Sequence, residues 1–472
     1  MKFHLKKIGI IDKADLELSN LTIICGENNT GKTYITYAIY GFLALWRDIV
    51  SDTLRDDVQK LLEKENFTQI DLSEIFKNGI NTHLEELGKR YQHKLQRVFS
   101  KETTSQDSAT FAPSTEIETK LIEIKFESSI YHASNGDVYA KVKKDAGSVK
   151  VDVFTVDPDA IKSPNRFLVG FISETIAHAV LSQHLPPVHI SSAERTGAAL
   201  FRSELDLART RILKAIAETD ARELQRNPYK LIKQVTSKYA LPVEDNVDFV
   251  REIENISKNK SELSQKHPDI LEAFEGIVGG EYKVVRNQLV FLPKGLTKSQ
   301  RFTMGEASSS VRALLDIGYY LRCEAKIGDL LIIDEPELNL HPKSQRAFAR
   351  LLARLVNAGI KVLITTHSDY IVKELNTLIM LNQKTPHTKS IQNQYHYDDK
   401  ELLNPENTRL YITCDSPKSP PGPGRPAKTP STWKTLKKAA INSSVGIEVD
   451  TFDSTIDVMN EIQSHILYGE EF

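Results

Sequence analysis

The sequence has few cysteines and no strong excess of charge of either sign, and each shortage narrows what the protein can be. Its three cysteines, Cys25, Cys323 and Cys414, are scattered and follow no metal-ligand spacing, which is typical of a protein in a reducing cytoplasm. The formal net charge of the 472 residues is −2. Overall attraction to nucleic acid is therefore absent, and any such binding needs a local basic patch.

Long apolar runs are also missing. No uninterrupted apolar stretch is long enough to span a bilayer, and the N-terminal MKFHLKKIGI lacks the apolar core of a signal peptide. With 40% hydrophobic and 26% charged residues, the composition is typical of a soluble globular protein. We therefore expect a cytoplasmic protein without a membrane segment, long enough for two or three structural units.

A phosphate-binding loop is the strongest motif. LTIIC predicts a short buried strand, and the following GENNTGKT matches G-x-x-x-x-G-K-[ST]. Glycines let backbone N–H groups face an anion, and the helix predicted from about Thr33 to Ile49 adds its positive dipole end. We expect Lys32 to contact the β- and γ-phosphates of a nucleotide and the Thr33 hydroxyl to bind Mg²⁺.

The alternative to this loop is an Asn/Gly turn before a helix, which the flanking strand and helix disfavour. The residues predicted to bind the nucleotide are Gly26, Asn28, Asn29, Thr30, Gly31, Lys32 and Thr33.

A second apolar run, LLIIDEPE, ends in carboxylates and predicts a parallel strand buried on both faces. The carboxyl end of such a strand is where open α/β sheets bind ligands. We assign Asp334 the Walker B role, as the second protein ligand of the Mg²⁺ that Thr33 contacts. Glu335 is the predicted general base for the attacking water. A strand followed by an acidic turn is the alternative.

A third apolar run, KVLITTHS, places His367 at the end of the following strand. A lone histidine is more often structural than catalytic. Here the neighbouring motifs favour a histidine that contacts the γ-phosphate through one ring nitrogen.

The order of P-loop, long insert, serine-rich helix start, DEP and TTH resembles the ABC-type ATPases, and more narrowly the SMC-like branch with RecF-type and OLD-type heads. The resemblance covers about 1–50 and 300–400, and also HISSAERTG and the closing GIEVDTFDSTIDVMNEI. Within that branch, DEPELNLHP and THSDYIVKELNTLIML resemble the ATPase subunits of bacterial anti-phage systems. Among these subunits, the sequence most resembles the Septu ATPase, which is also found beside some retrons.

The resemblance implies an α/β fold, namely an ABC-type P-loop NTPase head with a large helical insertion and a small β insertion. It also implies ATP and Mg²⁺ as cofactors. The predicted segments are 1–50 (lobe I with the P-loop), 51–115 (helical insertion), 116–197 (β-rich part of lobe I with a helix), 198–280 (helical insertion), 281–415 (lobe II with signature, Walker B and switch histidine), 416–432 (Pro-rich loop) and 433–472 (closing segment).

The resemblance further implies a head-to-tail dimer or higher homo-oligomer in which each ATP lies between one P-loop and the partner's signature motif. MGEASSSVRAL occupies the signature position, so Ser308 and Ser309 are predicted to contact the partner's ATP. Ser309 and Ser310 stand where the family has glycines. The alternative for Ser308 is an N-cap of an amphipathic helix.

For function, the resemblance implies an ATP-binding and ATP-hydrolysing sensor or regulatory subunit of an anti-phage complex that controls an effector nuclease, such as an HNH protein. A DNA repair ATPase of RecF or SMC type is the alternative, and a transporter ATPase subunit is disfavoured by the long insert. Nucleic acid is a further candidate partner, through the insertion or the basic Pro-rich loop SPKSPPGPGRPAKTPS. Arg195 of SSAERTG belongs to such a candidate surface, with a solvated helix face as the favoured interpretation.

The sequence contains no convincing nuclease motif. After KVLITTHS there is neither a Glu-Gly step nor an Asp-x-Asp pair, which a Toprim nuclease needs to hold divalent metal. The segment HYDDKE at 396–401, together with His387 and Asn404, keeps an HNH nuclease site as a weak alternative. Asp157 and Asp159 form an Asp-x-Asp that we interpret as a turn. We therefore expect the effector to act in trans.

Overall fold

A computed structural model describes residues 1–64, 69–100, 109–131, 138–155, 166–201, 239–286, 288–296, 300–416, 433–448 and 463. The chain divides into two compact units. The first contains Met1–Glu17, Tyr37–Val188 and Pro420–Trp433, and the second contains Leu18–Thr36, His189–Ser419 and Lys434–Phe472.

The strands are β1 (Lys2–Ile8), β2 (Ile11–Glu17), β3 (Leu21–Cys25), β4 (Gln69–Asp71), β5 (Thr110–Ser114), β6 (Phe126–Tyr131), β7 (Val138–Lys144), β8 (Lys150–Thr155), β9 (Val188–Ser191), β10 (Gly280–Val285), β11 (Gln288–Pro293), β12 (Phe302–Thr303), β13 (Leu330–Asp334), β14 (Lys361–Thr366), β15 (Thr408–Asp415), β16 (Lys434–Lys438), β17 (Ala440–Asn442) and β18 (Gly446–Glu448).

The helices are α1 (Lys32–Lys64), α2 (Leu72–Ile75), α3 (Ile80–Gln92), α4 (Leu95–Phe99), α5 (Arg166–Leu181), α6 (Arg195–Leu200), α7 (Leu241–Arg251), α8 (Ile253–Ile256), α9 (Glu262–Lys266), α10 (Pro268–Val278), α11 (Ser309–Ala313), α12 (Leu315–Cys323), α13 (Pro342–Asn357), α14 (Asp369–Leu381) and α15 (Pro386–Gln394), with 3₁₀ turns at Asp399–Glu401 and Pro405–Asn407. Within the described ranges, no helix has the length and apolar character that crossing a membrane requires.

The first unit is held together by an aromatic core under an antiparallel ribbon. Strand β1 pairs with β2 on one side and β5 on the other, and its side chains alternate between buried and exposed. The buried Phe3 of β1 packs its ring 6.1 Å from that of Phe42 and 5.6 Å from that of Phe111. Such alternation places every second side chain on the core face. A separate antiparallel sheet follows the order β4-β8-β7-β6.

The second unit is built on parallel strands. Its central strands follow the order β15-β3-β14-β13 with all three pairs parallel, and β16 adds an antiparallel edge to β15. Every residue of β3 and of β13 is buried, as expected for parallel strands covered on both faces. Register pairs Thr366 with Cys25 and Thr365 with Asp334, so the carboxyl ends of three strands meet at one edge of the sheet.

Helices cover this sheet with their apolar faces. Helix α13 buries Phe348, Leu351, Leu352 and Leu355 at helical spacing. Its N-cap is His341, whose Nδ1 accepts a hydrogen bond from the Lys343 N–H. The sheet end that carries the site is therefore fixed by a continuous core.

The structure confirms the α/β class and corrects several local predictions. The alternating apolar residues of KLIEIKFESS predict a strand, but turns precede Phe126, where β6 begins. The sequence SSSVRALLDIGYYLR predicts one helix, but the structure divides it at Leu314 into α11 and α12. Helix α1 continues past the predicted end at Ile49 to Lys64. Most of the Pro-rich loop and residues 202–238 of the insertion predicted over 198–280 lie outside the described residues, as do Asp157 and Asp159.

Candidate nucleotide-binding site

The loop from Gly26 to Thr33 makes the tight turn that its motif predicts. Gly26 has φ +147°, and a Cβ on it would lie 1.9 Å from the Oγ1 of Thr413, so only glycine fits. Asn29 and Gly31 are also in positive-φ conformations, at +60° and +92°. These dihedrals turn the chain from strand β3 directly into helix α1.

The backbone donors of this loop remain available for a ligand. Within the described residues, the N–H groups of Asn28 through Thr33 donate to no protein acceptor, and the Ile35 N–H donates to the Gly31 carbonyl at 3.2 Å. Thr30 holds the loop instead through its hydroxyl, which donates to the Glu27 carbonyl at 2.7 Å. A row of free N–H groups at the start of a long helix suits a phosphate group.

Lys32 places its charge inside the loop. Its side chain is 5% exposed, and its Nζ donates to the carbonyls of Gly26 and Glu27, both at 2.9 Å. The ammonium group therefore lies against the same backbone whose N–H groups are free. An anion bound by those N–H groups would gain a charge-assisted contact from it.

Thr33 and Asp334 meet across 301 positions of sequence. The Thr33 hydroxyl donates to the Oδ2 of Asp334 at 3.2 Å, and the Thr365 hydroxyl donates to its Oδ1. Burial raises the pKa of Asp334 to about 6. A hydroxyl and a buried carboxylate are hard oxygen ligands, and Mg²⁺ in phosphate sites commonly has one or two carboxylates with the phosphates completing its shell. The pair therefore fits the predicted metal.

No richer metal site competes with this pair. Across the described ranges, no group of three or more His, Cys, Asp and Glu side chains is arranged to hold a metal ion.

Glu335 has a left-handed backbone conformation, with φ +53°. Its N–H donates to the carbonyl and the Oγ1 of Thr365, both at 3.1 Å, and its carbonyl accepts from the Leu338 N–H at 3.1 Å. L-residues of this kind rarely adopt that conformation, and it persists only where surrounding bonds hold it. The side chain is 24% exposed, so water can reach the carboxylate. This placement suits a general base.

His367 contacts an acid that sequence reasoning missed. The ring Nδ1 of His367 lies 3.1 Å from the Oε1 of Glu337 and 3.7 Å from the Oε1 of Glu335. The backbone N–H of His367 also donates to the Oε1 of Glu337, at 2.7 Å. The other oxygen of Glu337 accepts from the Thr366 hydroxyl at 2.9 Å. In the sequence, only the second glutamate of DEPE, two residues after Glu335, indicated that another acid could contact His367.

Arg195 corrects the expectation of a solvated surface arginine. Its exposed fraction is 0%. The guanidinium donates to the carbonyls of Asp334 and Glu335 at 2.7 Å, of Ala313 at 2.8 Å and of Ser192 at 2.9 Å. Burial lowers the pKa of this arginine, and the negative charges of nearby carboxylates oppose that effect. The polar composition of SSAERTG predicts an exposed segment, whereas the segment packs beneath the end of β13.

Ser308 is an N-cap, the alternative that the sequence left open. Its Oγ accepts from the Val311 N–H at 3.4 Å and lies 2.9 Å from the Oγ of Ser310. Ser309 is the first residue of the short helix α11. Contact of Ser308 and Ser309 with a partner's ATP stays a prediction.

The acidic cluster near the tail has structural contacts. Asp398 caps the 3₁₀ turn that follows it. Glu401 is buried and lies 3.0 Å from the Arg354 guanidinium, and Asn404 caps the next turn. These side chains are therefore engaged in capping and ion pairing.

We expect Asp334→Asn to stabilise the fold when no metal is present. Burial raises the pKa of Asp334 from 3.8 to about 6, so the ionised carboxylate is less favourable in the folded than in the unfolded protein. The free energy of unfolding therefore falls as pH rises through 6, by about 3 kcal/mol at pH 8. Asparagine removes that charge. Thermal unfolding at pH 8 in EDTA measures the gain, which should shrink at pH 4.

Asp399→Asn is the matched control for this change. Asp399 is exposed, and hydrogen bonds from Gln392 and then Lys389 lower the pKa of its carboxyl. Removing its charge should therefore give no gain in stability. If Asp334→Asn unfolds at a lower temperature than the parent in EDTA, the buried charge is not the dominant effect.

The sequence matches one family model. The model described as "AAA ATPase domain" matches residues 2–372, which include the loop at Gly26–Thr33, Arg195, Asp334, Glu335 and His367. No curated protein matches the sequence significantly.

Solved structures give weaker similarities. The "SmcHead bound to the C-winged helix domain of ScpA" is 12% identical, with coverage of 93% of this chain and 97% of that chain and a TM-score of 0.31. The Smc head domain bound to the C-terminal domain of ScpA from Pyrococcus furiosus is 11% identical, covering 98% of both chains at 0.30. The SMC head domain from Thermotoga maritima is 10% identical, covering 93% and 98% at 0.30.

Proposed function

Because the chain belongs to the AAA ATPase domain family, we propose that it binds ATP with Mg²⁺ at the loop Gly26–Thr33 and hydrolyses the ATP with Glu335 as general base. The contact between the Thr33 hydroxyl and the Asp334 carboxylate is the observation that carries this proposal. It joins the start of helix α1 to the end of β13, which are the two elements that this chemistry needs side by side.

The loop, together with the side chains of Lys32, Thr33 and Asp334, binds the nucleotide and its metal ion. The free N–H groups of Asn28 through Thr33 donate to the phosphate oxygens, and Lys32 adds its charge to the β- and γ-phosphates. Thr33 and Asp334 hold Mg²⁺, which when bound neutralises charge on the phosphate oxygens. Their hard oxygen atoms and the burial of Asp334 support this assignment.

The two remaining groups act on the attacking water and the terminal phosphate. Glu335 takes a proton from the water through its partly exposed carboxylate. His367 lies beside it and is 42% exposed. Because the Nδ1 of His367 lies 3.1 Å from Glu337, Nε2 is the ring nitrogen left to contact the γ-phosphate.

For the biological role, we propose a sensor or regulatory subunit of an anti-phage complex, which acts as a homo-oligomer and controls a nuclease supplied by another chain. The support is the resemblance of DEPELNLHP and THSDYIVKELNTLIML to the ATPase subunits of such systems. The structural contacts of Asp398, Glu401 and Asn404 agree with an effector in trans, since they engage the side chains nearest to an HNH arrangement.

The purified full chain is expected to hydrolyse ATP with Mg²⁺ and to cleave neither DNA nor RNA with Mg²⁺ or Mn²⁺. Phosphate release and gel assays on the same preparation measure both activities, with Lys32→Ala as the inactive control. Metal-dependent cleavage that is lost in His396→Ala but kept in Lys32→Ala would place a nuclease in this chain. Strong stimulation of the ATPase by DNA alone would favour the repair-type alternative.

A further inference from the structure

Arg195 is a fully buried cation whose hydrogen bonds all go to backbone carbonyls. Burial of a charged side chain is unfavourable unless its donors are satisfied and other charges compensate. Most arginines avoid this by remaining at the surface. The burial of an arginine beside the proposed catalytic carboxylates therefore indicates a role in addition to packing.

The four bonds connect three segments of chain. Nε donates to Ala313 at the end of helix α11, and Nη1 donates to Ser192 just after β9. Nη1 also donates to Asp334, and Nη2 donates to Glu335. The carbonyls of Ala313 and Ser192 thus anchor a rigid planar group, and that group fixes the two consecutive carbonyls where β13 ends.

We propose that Arg195 is a positioning residue that holds the end of β13 so that the Glu335 carboxylate faces the attacking water. The proposal rests on the ATPase function proposed above. Glu335 has φ +53°, and its carbonyl accepts from Arg195 as well as from Leu338. Without the guanidinium, that carbonyl loses its shortest hydrogen bond and the backbone can relax toward an ordinary conformation, which turns the carboxylate away.

The charge of Arg195 has a second effect on the same group of carboxylates. Asp316, Asp334, Glu337 and Glu335 all interact electrostatically with the guanidinium. A positive charge beneath them reduces their mutual repulsion. The charge of lysine would preserve this electrostatic effect in part, but its single nitrogen cannot bond four carbonyls in one plane. Arg195→Lys therefore separates the geometric role from the electrostatic one.

The test compares Arg195→Lys with the parent in steady-state ATP hydrolysis and in ATP binding. We expect kcat to fall about 100-fold, the scale of a misplaced catalytic group, while the Kd for ATP with Mg²⁺ changes by less than about threefold. A residue that only supports the fold would lower the unfolding temperature without this division between kcat and Kd.

Arg354→Lys is the matched control. Arg354 is also largely buried, and its ion pairs are with Glu401, Asp398 and Asp269. The same chemical change there should lower the unfolding temperature but leave kcat within about twofold at a temperature well below unfolding.

Normal kcat in Arg195→Lys, or equal losses of kcat and affinity, would overturn the proposal. If Arg195→Lys does not fold, Arg195→Met, which preserves much of the volume without the charge, must show the same division. Failure of both variants to fold assigns Arg195 to the fold alone. A parent chain without ATPase activity would instead contradict the proposed function, so the two failures are distinguishable.

Discussion

Lys32→Ala is expected to abolish ATP binding. The Lys32 ammonium lies within the loop, 2.9 Å from the carbonyls of Gly26 and Glu27, and next to the free N–H groups that we assign to the phosphates. Hydrogen bonds to charged groups contribute about 1.5–3 kcal/mol each. Loss of the two proposed contacts of Lys32, one with the β-phosphate and one with the γ-phosphate, should therefore weaken ATP binding at least about 100-fold. Titration calorimetry with ATP and Mg²⁺ measures this loss directly.

Lys60→Ala serves as the control for that experiment. Lys60 is on the same helix α1 but is exposed. Its removal should leave ATP affinity unchanged, because an exposed charge so far along the helix is screened. If Lys32→Ala and Lys60→Ala bind ATP equally well, the loop is not the nucleotide site.

Glu335→Gln is expected to retain ATP binding and lose hydrolysis. Glutamine keeps the size and the backbone conformation of Glu335 but cannot accept the proton from water. Loss of a general base lowers turnover by about 100- to 10,000-fold. The metal ligands Thr33 and Asp334 remain, so the Kd for ATP with Mg²⁺ should change little. Comparison of phosphate release with calorimetry separates the two steps.

The same variant should accumulate an ATP-bound homo-oligomer, because bound ATP persists when it is not hydrolysed. Light scattering with and without ATP measures the mass. Glu406→Gln, which alters an exposed glutamate, should behave like the parent. Full turnover in Glu335→Gln would show that another group is the base, and Glu337 would be the next to examine because it contacts His367.

Local sequence preferences were sufficient to predict the separate parts of the site. LTIIC and LLIID are apolar throughout, and both form parallel strands buried along their whole length. Glycine permits the positive φ values that the loop needs at Gly26 and Gly31. Because parallel strands present their carboxyl ends at one edge, the sequence also predicted that Thr33 and Asp334 meet. The roles of these residues in catalysis stay predictions.

Predictions failed where a distant segment decides the outcome. Helical spacing continues through Leu314, yet the chain breaks there between α11 and α12. Next to that break, the Ala313 carbonyl accepts from Arg195, a residue 118 positions away. Periodicity describes which face of one helix is apolar, and it contains no information about a bond from another segment.

The sequence by itself determined the loop, the buried strands and the order of the acidic and histidine residues at their ends, because dihedral preference and apolar runs depend on neighbours along the chain. Only the tertiary structure decided that Arg195 is buried, that Glu337 orients His367 and that Thr413 closes over Gly26. Each of these depends on which carbonyl, ring nitrogen or hydroxyl the packed sheet brings within about 3 Å, and such distances arise only when segments far apart in sequence pack together.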